Sequence, residues 1–221
     1  MNDSQLSALA VESSGSSLKV GLSLPDGRIM TNSSDDRFRH AEFIFPLIDE
    51  LLAGNSVAKK NLELIIIGLG PGSFTGLRVG MAAAKGLAVS LGLPLVGLST
   101  MAAIGRRLYE EHGRTAVVIL SRRNEFYFGL AEAAEFRDET IRLATADDIA
   151  GLPEEIKILA VDFDPGILNL PEERIIPAEK FMVKIEDFIV RGIELFGRRG
   201  GDNPADLNPL YIQKFPVGVK K

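Results

Sequence analysis

The spacing of apolar residues switches between strand-like runs and helical stripes, and the switch points mark the elements. Residues 6–11 and 18–24 are apolar runs of strand length, joined by the polar turn Glu12-Ser13-Ser14-Gly15-Ser16-Ser17. Pro25-Asp26-Gly27 supplies a second tight turn, and residues 28–31 pair back as a third short strand. Residues 32–39 read as a charged loop. From 40 to 53, Phe43, Ile44, Leu47, Ile48, Leu51 and Leu52 recur at helical spacing as one apolar stripe, ended by Gly54. Pro46 removes one backbone donor there and marks a kink or the first turn. Residues 62–69 form a buried strand, 75–90 a helix rich in small residues, 93–96 a strand and 100–111 a helix.

A second series follows. Residues 115–120, 126–131, 140–143 and 156–161 read as strands, 147–152 as a short helical turn and 180–196 as a helix. Gly197 and the run Arg198-Arg199-Gly200-Gly201 end that helix. The order predicts an α/β chain of two small lobes with mixed sheets: 1–112 carries the first two long helices, and 113–221 is a smaller second lobe with a C-terminal helix and tail. No low-complexity run and no fixed-period repeat is visible.

Composition narrows the chemistry. The chain has 221 residues, 46% of them apolar, so it can build a sizeable core. It contains no Cys, which excludes disulfides, thiolate metal sites and a Cys nucleophile and suits a reducing cytoplasm. No apolar run reaches the roughly eighteen residues of a membrane span. Residues 1–7 are polar without a basic stretch, so no signal peptide is expected there. The net charge of −5 argues against this chain alone gripping a phosphate backbone.

The richest segment is Gly68-Leu69-Gly70-Pro71-Gly72-Ser73-Phe74-Thr75-Gly76-Leu77-Arg78-Val79-Gly80, where a buried strand breaks and restarts as a helix. Gly70 and Gly72 admit backbone angles that a Cβ forbids, and Ser73 or Thr75 can cap the helix. Three uses of this corner stay open. It could be a phosphate loop, although it has no Gly-Lys-Ser/Thr and no third glycine of a dinucleotide fingerprint. It could be a tight turn with close helix packing. It could also present a surface, because Gly76, Gly80 and Ala84 lie four apart on one helix face.

Residues 70–80, read as GPGSFTGLRVG, are similar to the signature of the TsaB (YeaZ) family. Residues 8–15, Ala-Leu-Ala-Val-Glu-Ser-Ser-Gly, resemble that family's opening strand and turn, and residues 40–52 resemble its first helix. Asn208-Pro209-Leu210-Tyr211-Ile212 resembles its closing segment. The resemblance implies an actin-like ATPase (ribonuclease-H-like) fold. It implies a non-catalytic subunit of threonylcarbamoyladenosine synthesis on tRNA that binds and supports TsaD, with TsaE in a larger complex. It implies self-pairing when TsaD is absent and contact with tRNA only through the complex. No cofactor is expected on this chain; ATP and a metal belong to the partner subunits. The matching helix pair implies an interface built from His40, Phe43, Phe45, Leu47, Gly76, Gly80, Met81 and Ala84.

The actin-like likeness also bears on the first turn, which in that superfamily wraps a nucleotide phosphate. Ser13 and Gly15, with Gly70, Gly72, Ser73 and Thr75 across the corner, would be the residues of such a loop; the alternative is a solvated hairpin turn. Catalytic relatives bind a metal through a histidine pair, HxxxH, on the first helix. Here Ile44 takes the second place, so no metal site is expected. His40 caps or flanks that helix, and His112 suits a helix C-terminus. Glu12, Asp162 and Asp164 end strands and could hold a metal or be solvated. The family's Asp-Ala-Arg-Arg run appears here as Leu120-Ser121-Arg122-Arg123: the doublet is kept, the leading acid is not.

Two functional classes follow. One is the assembly subunit. The other is an independent enzyme, an actin-like ATPase or a metal-dependent glycoprotease, which would need a closed nucleotide cleft or a histidine pair. A protease acting on TsaD would need a nucleophile–base pair, and none is visible.

Overall fold

The computed structural model describes residues 6–36, 39–132, 136, 138–177 and 180–212. Met1–Gln5 of the leading polar segment, and Arg37 and Phe38 of the charged loop, lie outside the described residues. Along the chain come β1 (Ala8–Glu12), β2 (Leu18–Ser23), β3 (Ile29–Ser34), α1 (His40–Gly54), β4 (Leu64–Gly68), α2 (Phe74–Leu91), β5 (Leu95–Leu98) and α3 (Thr100–His112). There follow β6 (Thr115–Arg122), β7 (Glu125–Ala131), β8 (Arg142–Ala144), α4 (Ala146–Ala150), β9 (Lys157–Val161) and α5 (Ile185–Arg199).

The first sheet has the order β3-β2-β1-β4-β5, antiparallel across β3-β2-β1 and parallel across β1-β4-β5. The second has the order β8-β7-β6-β9, again two antiparallel pairings and one parallel. The second sheet thus repeats the first with one strand fewer, a repeat of topology that left no periodicity in the sequence.

Period-two alternation places the layers. Leu9, Val11, Ile65 and Ile67 face α1 and α2. Ala8, Ala10, Leu64 and Ile66 face the opposite way, into a core shared with α3, α5 and the inner faces of β6 and β9. Ala116, Val118 and Ile158 point out from the second sheet onto α4 and its neighbouring turns. The molecule is therefore α1/α2, sheet, α3/α5, sheet, outer turns.

Several boundaries differ from the sequence pattern. The third strand runs on to Ser34, shortening the charged loop. Pro46 sits inside α1, neither at its first turn nor at its end. The last helix begins at Ile185 rather than 180, where the Asp187 carboxylate accepts from Lys184 N at 3.2 Å and so holds the helix start. That helix, grouped above with the second lobe, lies in the shared core, where Ile185, Phe188, Ile189 and Ile193 are buried with Ala8, Ala10 and Ile66. Its amphipathic stripe is served better by two sheets than by one.

Candidate functional site

The glycine corner and the serine turn are one construction. Ser73 N donates to Ser14 O at 2.7 Å, Thr100 N donates to Gly70 O at 2.8 Å, and Ser13 Oγ donates to Gly76 O at 2.9 Å. Gly70 has φ +83, the left-handed conformation a glycine tolerates. Ser73, not Thr75, caps α2: its Oγ accepts from Gly76 N at 3.2 Å. A Cβ at Gly72 would stand 2.3 Å from Ser14 O, and one at Gly76 2.1 Å from Ser13 O. The glycines are there so that α2 can start against the β1–β2 turn.

Most residues of the expected interface are buried within the chain itself. Gly76, Gly80 and Ala84 face inward, onto the chain's own sheet and turn, and are buried. His40, Leu47 and Met81 are buried in the same chain as well. Phe43 is half-buried beneath the Arg39 guanidinium, 4.9 Å from its ring centroid. Of the eight residues, only Phe45 projects outward, 46% exposed. The outward face of α2 carries other small and apolar residues: Ala82, Gly86 and Val89 are exposed and Val79 is half-buried. A Cβ at Gly86 would meet nothing within 4 Å. A small-residue stripe shows where a helix comes close to something, and here the close neighbour is the chain itself.

Between the lobes lies a cleft of about 470 Å³. Gly15, Gly72, Ser73 and Thr75 of the suggested phosphate loop line it, together with Glu12, Lys19, His40 and Asp162. Ser13 and Gly70 do not line it. Two of the turn's amides are in use: Ser14 N donates to Glu12 Oε1 at 2.5 Å, and Ser16 N donates to Asp162 Oδ2 at 2.8 Å. Asp162, at the end of β9, reaches across from the second lobe with φ +62. Asp164 turns away and accepts from Gly166 N at 2.9 Å.

Burial pushes the Glu12 carboxyl above its ordinary range, against the Ser14 hydrogen bonds and nearby Lys19, while Asp162 adds to the rise. Its Oε2 has no hydrogen-bond partner among the described residues. Burial holds the His40 imidazole below its ordinary range, opposed by a hydrogen bond with the Ser13 backbone and by Asp36. His40 Nε2 is also without a partner among the described residues. Lys19 Nζ donates to Val183 O at 2.9 Å. Among the described residues no group of three or more His, Cys, Asp or Glu is arranged to hold a metal ion, and no helix is long and apolar enough to cross a membrane.

A second hollow of about 280 Å³ opens beside the first turn of α2, lined by Phe74, Leu120, Arg122, Tyr127 and Tyr211 among others. Phe74 and Tyr211 rings stand 5.7 Å apart, and Arg78 lies 3.7 Å over the Phe74 ring. Sequence reasoning missed this cluster and the Asp162–Ser16 contact. The partners are 133 and 146 residues apart, and no local spacing signals them.

The model of the TsaD family, described as tRNA N6-adenosine threonylcarbamoyltransferase, matches residues 36–192. The chain is 34% identical to a Haemophilus influenzae protein named as the tRNA threonylcarbamoyladenosine biosynthesis protein TsaB, over 61% of this chain and 57% of that protein. The Escherichia coli TsaB is 30% identical over 54% of this chain and 52% of its own length. The chain thus spans little more than half the length of these two relatives. An uncharacterised Mycobacterium bovis protein is 39% identical over 81% of this chain and 77% of its own. In fold, a Pseudomonas aeruginosa protein described as similar to peptidase YeaZ superposes with a TM-score of 0.78 at 24% identity, covering 94% of this chain and all of that one. The ethanolamine utilization protein EutJ of Carboxydothermus hydrogenoformans, at 9% identity, superposes with a TM-score of 0.51 over 83% of this chain and 89% of its own. With these matches in sequence and in architecture, the chain belongs to the TsaB (YeaZ) family, within the wider TsaD-related group.

Proposed function

We propose that this chain is a non-catalytic assembly subunit in tRNA threonylcarbamoyladenosine synthesis, binding TsaD through the outer faces of α1 and α2. The relatives named as TsaB support the pathway. One observation supports the surface: two helices packed side by side leave Phe45 on one, and Ala82, Gly86 and Val89 on the other, facing outward. Small side chains and an open position at Gly86 let a partner helix come near, and such closely packed apolar cores carry most of an interface's energy. When TsaD is absent, the same face can pair with a second copy. In this scheme tRNA meets the complex, TsaE joins the larger assembly, and ATP and metal belong to the partner subunits. The work is expected in the cytoplasm.

The test is co-purification with TsaD. Ala82→Arg and Gly86→Arg should abolish it and leave the monomer folded. Retained binding in both variants would refute the surface.

The inter-lobe cleft favours a second scheme, an independent actin-like ATPase. It is supported by a hollow lined with two carboxylates and a serine-rich turn. Against it stands the use of the Ser14 and Ser16 amides by Glu12 and Asp162. Calorimetric titration of the isolated chain with magnesium-ATP separates the schemes: micromolar binding would favour the enzyme.

A further inference from the structure

We propose that Asp162 masks a phosphate-binding subsite: its carboxylate holds the place on the β1–β2 turn that an oxyanion brought from outside would take. The subsite lies in the inter-lobe cleft, away from the helix faces of the assembly role, so either can fail without the other.

An anionic group already sits on the turn. Ser16 N donates to Asp162 Oδ2 at 2.8 Å, from a residue 146 positions away in the other lobe. The same oxygen lies 2.6 Å from where a Cβ would stand on Gly15, so a side chain at position 15 would push it off. The bare Cα of Gly15 and the Ser16 N–H thus form a seat that one oxygen atom fills. Backbone N–H groups in a turn are a common way of holding an anion. Asp162 reaches the seat from the end of β9 with φ +62, a conformation that L-residues adopt at a cost.

The surroundings of the seat suit a phosphate. Lys19, Ser16, Ser17, Ser73 and Thr75 line the same cleft of about 470 Å³. Lys19 Nζ gives one proton to Val183 O at 2.9 Å and carries two more. Its charge is felt at buried Glu12, where it opposes the rise that burial causes. Burial favours the protonated form of Glu12, so of the two acids lining the cleft Asp162 is the better placed to stay charged. Asp162 therefore does two things: it fills the acceptor position at Ser16 N, and it offsets Lys19. Without it the seat has a free amide, a cation and hydroxyls around it. A phosphate has enough oxygens to meet an amide, an ammonium and a hydroxyl at once, whereas a carboxylate has only two.

The experiment is calorimetric titration of the full chain with inorganic phosphate and, separately, with adenosine monophosphate, at fixed ionic strength. Asp162→Gly keeps the backbone conformation and removes the carboxylate; Asp162→Asn removes the charge and keeps an acceptor. Asp162→Gly should bind at least about tenfold more tightly than the parent, as when a charge-assisted hydrogen bond is regained. Asp162→Asn should fall between them. A gain with phosphate means that the free ion suffices; a gain with the monophosphate alone means that the subsite takes the phosphate end of a larger molecule. Lys19→Ala, added to Asp162→Gly, should remove most of the gain. The mask is overturned if Asp162→Gly binds neither ligand more tightly than the parent, or if the gain survives Lys19→Ala, since the anion then lies elsewhere. Micromolar binding of magnesium-ATP by the unaltered chain would overturn it too. If circular dichroism shows Asp162→Gly unfolded, Asp162→Asn decides: affinities equal to the parent's overturn the mask.

Discussion

Gly80 of α2 lies against Ser13 of the β1–β2 turn so closely that a Cβ at position 80 would stand 2.1 Å from Ser13 Oγ. Ser13 Oγ is itself committed, donating to Gly76 O one turn earlier. Helix and turn are thus locked through the absence of a side chain.

The lock gives an ordered set of stabilities. Gly80→Ala meets a hydroxyl that can be removed; Gly76→Ala meets the Ser13 carbonyl at 2.1 Å, which cannot. Overpacking of this kind costs about 1–3 kcal/mol, and each kcal/mol lowers the Tm of a domain this size by about 2–4 °C. Gly76→Ala is expected to be the worse of the two. Ser13→Gly should recover part of the Gly80→Ala loss and little of the Gly76→Ala loss. A double-mutant cycle by denaturant titration measures it. Equal additivity in both cycles would contradict the geometry.

The outer face behaves in the opposite way. A Cβ at Gly86 meets nothing within 4 Å and Ala82 is exposed, so Gly86→Arg and Ala82→Arg should change stability by no more than about 0.5 kcal/mol. Association, with TsaD or with a second copy, should be lost. Light scattering of each variant alone, and co-purification with TsaD, report the two effects separately.

Arg107 ties α3 to α5. Its Nε and Nη2 donate to Asp187 at 2.8 and 2.9 Å, and its guanidinium lies 3.8 Å over the Phe181 ring. The Arg107 and Asp187 side chains are 25% and 10% exposed, so solvent screens the pair only in part. Asp187 also accepts from Lys184 N, closing the cap of α5. Arg107→Ala should cost about 2 kcal/mol, read as a lower denaturation midpoint. Hydrogen exchange should quicken first at the start of α5. Loss spread evenly over the molecule would speak against this local role.

Two buried groups set opposite pH slopes. Burial raises Glu12, so the folded state binds its proton more readily than the unfolded chain, whose ordinary value is 4.5. The cost of the buried carboxylate is absent below that value and grows as pH rises through the folded one. Glu12→Gln should therefore stabilise the protein at pH 8, with a gain that fades on acidification. Burial lowers His40 from its ordinary 6.5. Its cost is absent above 6.5 and grows as pH falls, so His40→Asn should flatten the acid side of the profile. Denaturant titrations of both variants from pH 4 to 8, taken as differences from the parent, check the signs.

Local pattern carried much of this fold to the surface of the sequence. Leu64–Gly68 is apolar at every position but its last, and Phe43 to Leu52 repeat at helical spacing, so β4 and α1 were legible. The strand-corner-helix motif was legible too, because three glycines and a proline leave few alternatives. What stayed hidden depends on direction and distance. A stripe of Gly76, Gly80 and Ala84 is the same string whether it faces a partner or the chain's own Ser13. The place of Ile185–Arg199 between the two sheets rests on residues more than a hundred positions away. Asp162 looked like any acid at a strand end.

Asp162 offers the last test, because backbone and side chain can be separated there. Its φ of +62 is a left-handed conformation that Asp and Asn tolerate better than Ala, which gives up about 1 kcal/mol or more. Its carboxylate accepts the Ser16 N–H across the cleft, a hydrogen bond worth about 1 kcal/mol net. Asp162→Asn keeps both the conformation and an acceptor. Asp162→Gly keeps the conformation alone. Asp162→Ala keeps neither. Stability should fall in that order, and exchange of the Ser16 amide should quicken in the last two only. If Gly matches the parent in both readouts, the carboxylate is a bystander, and the turn's amide is open to an anion brought from outside.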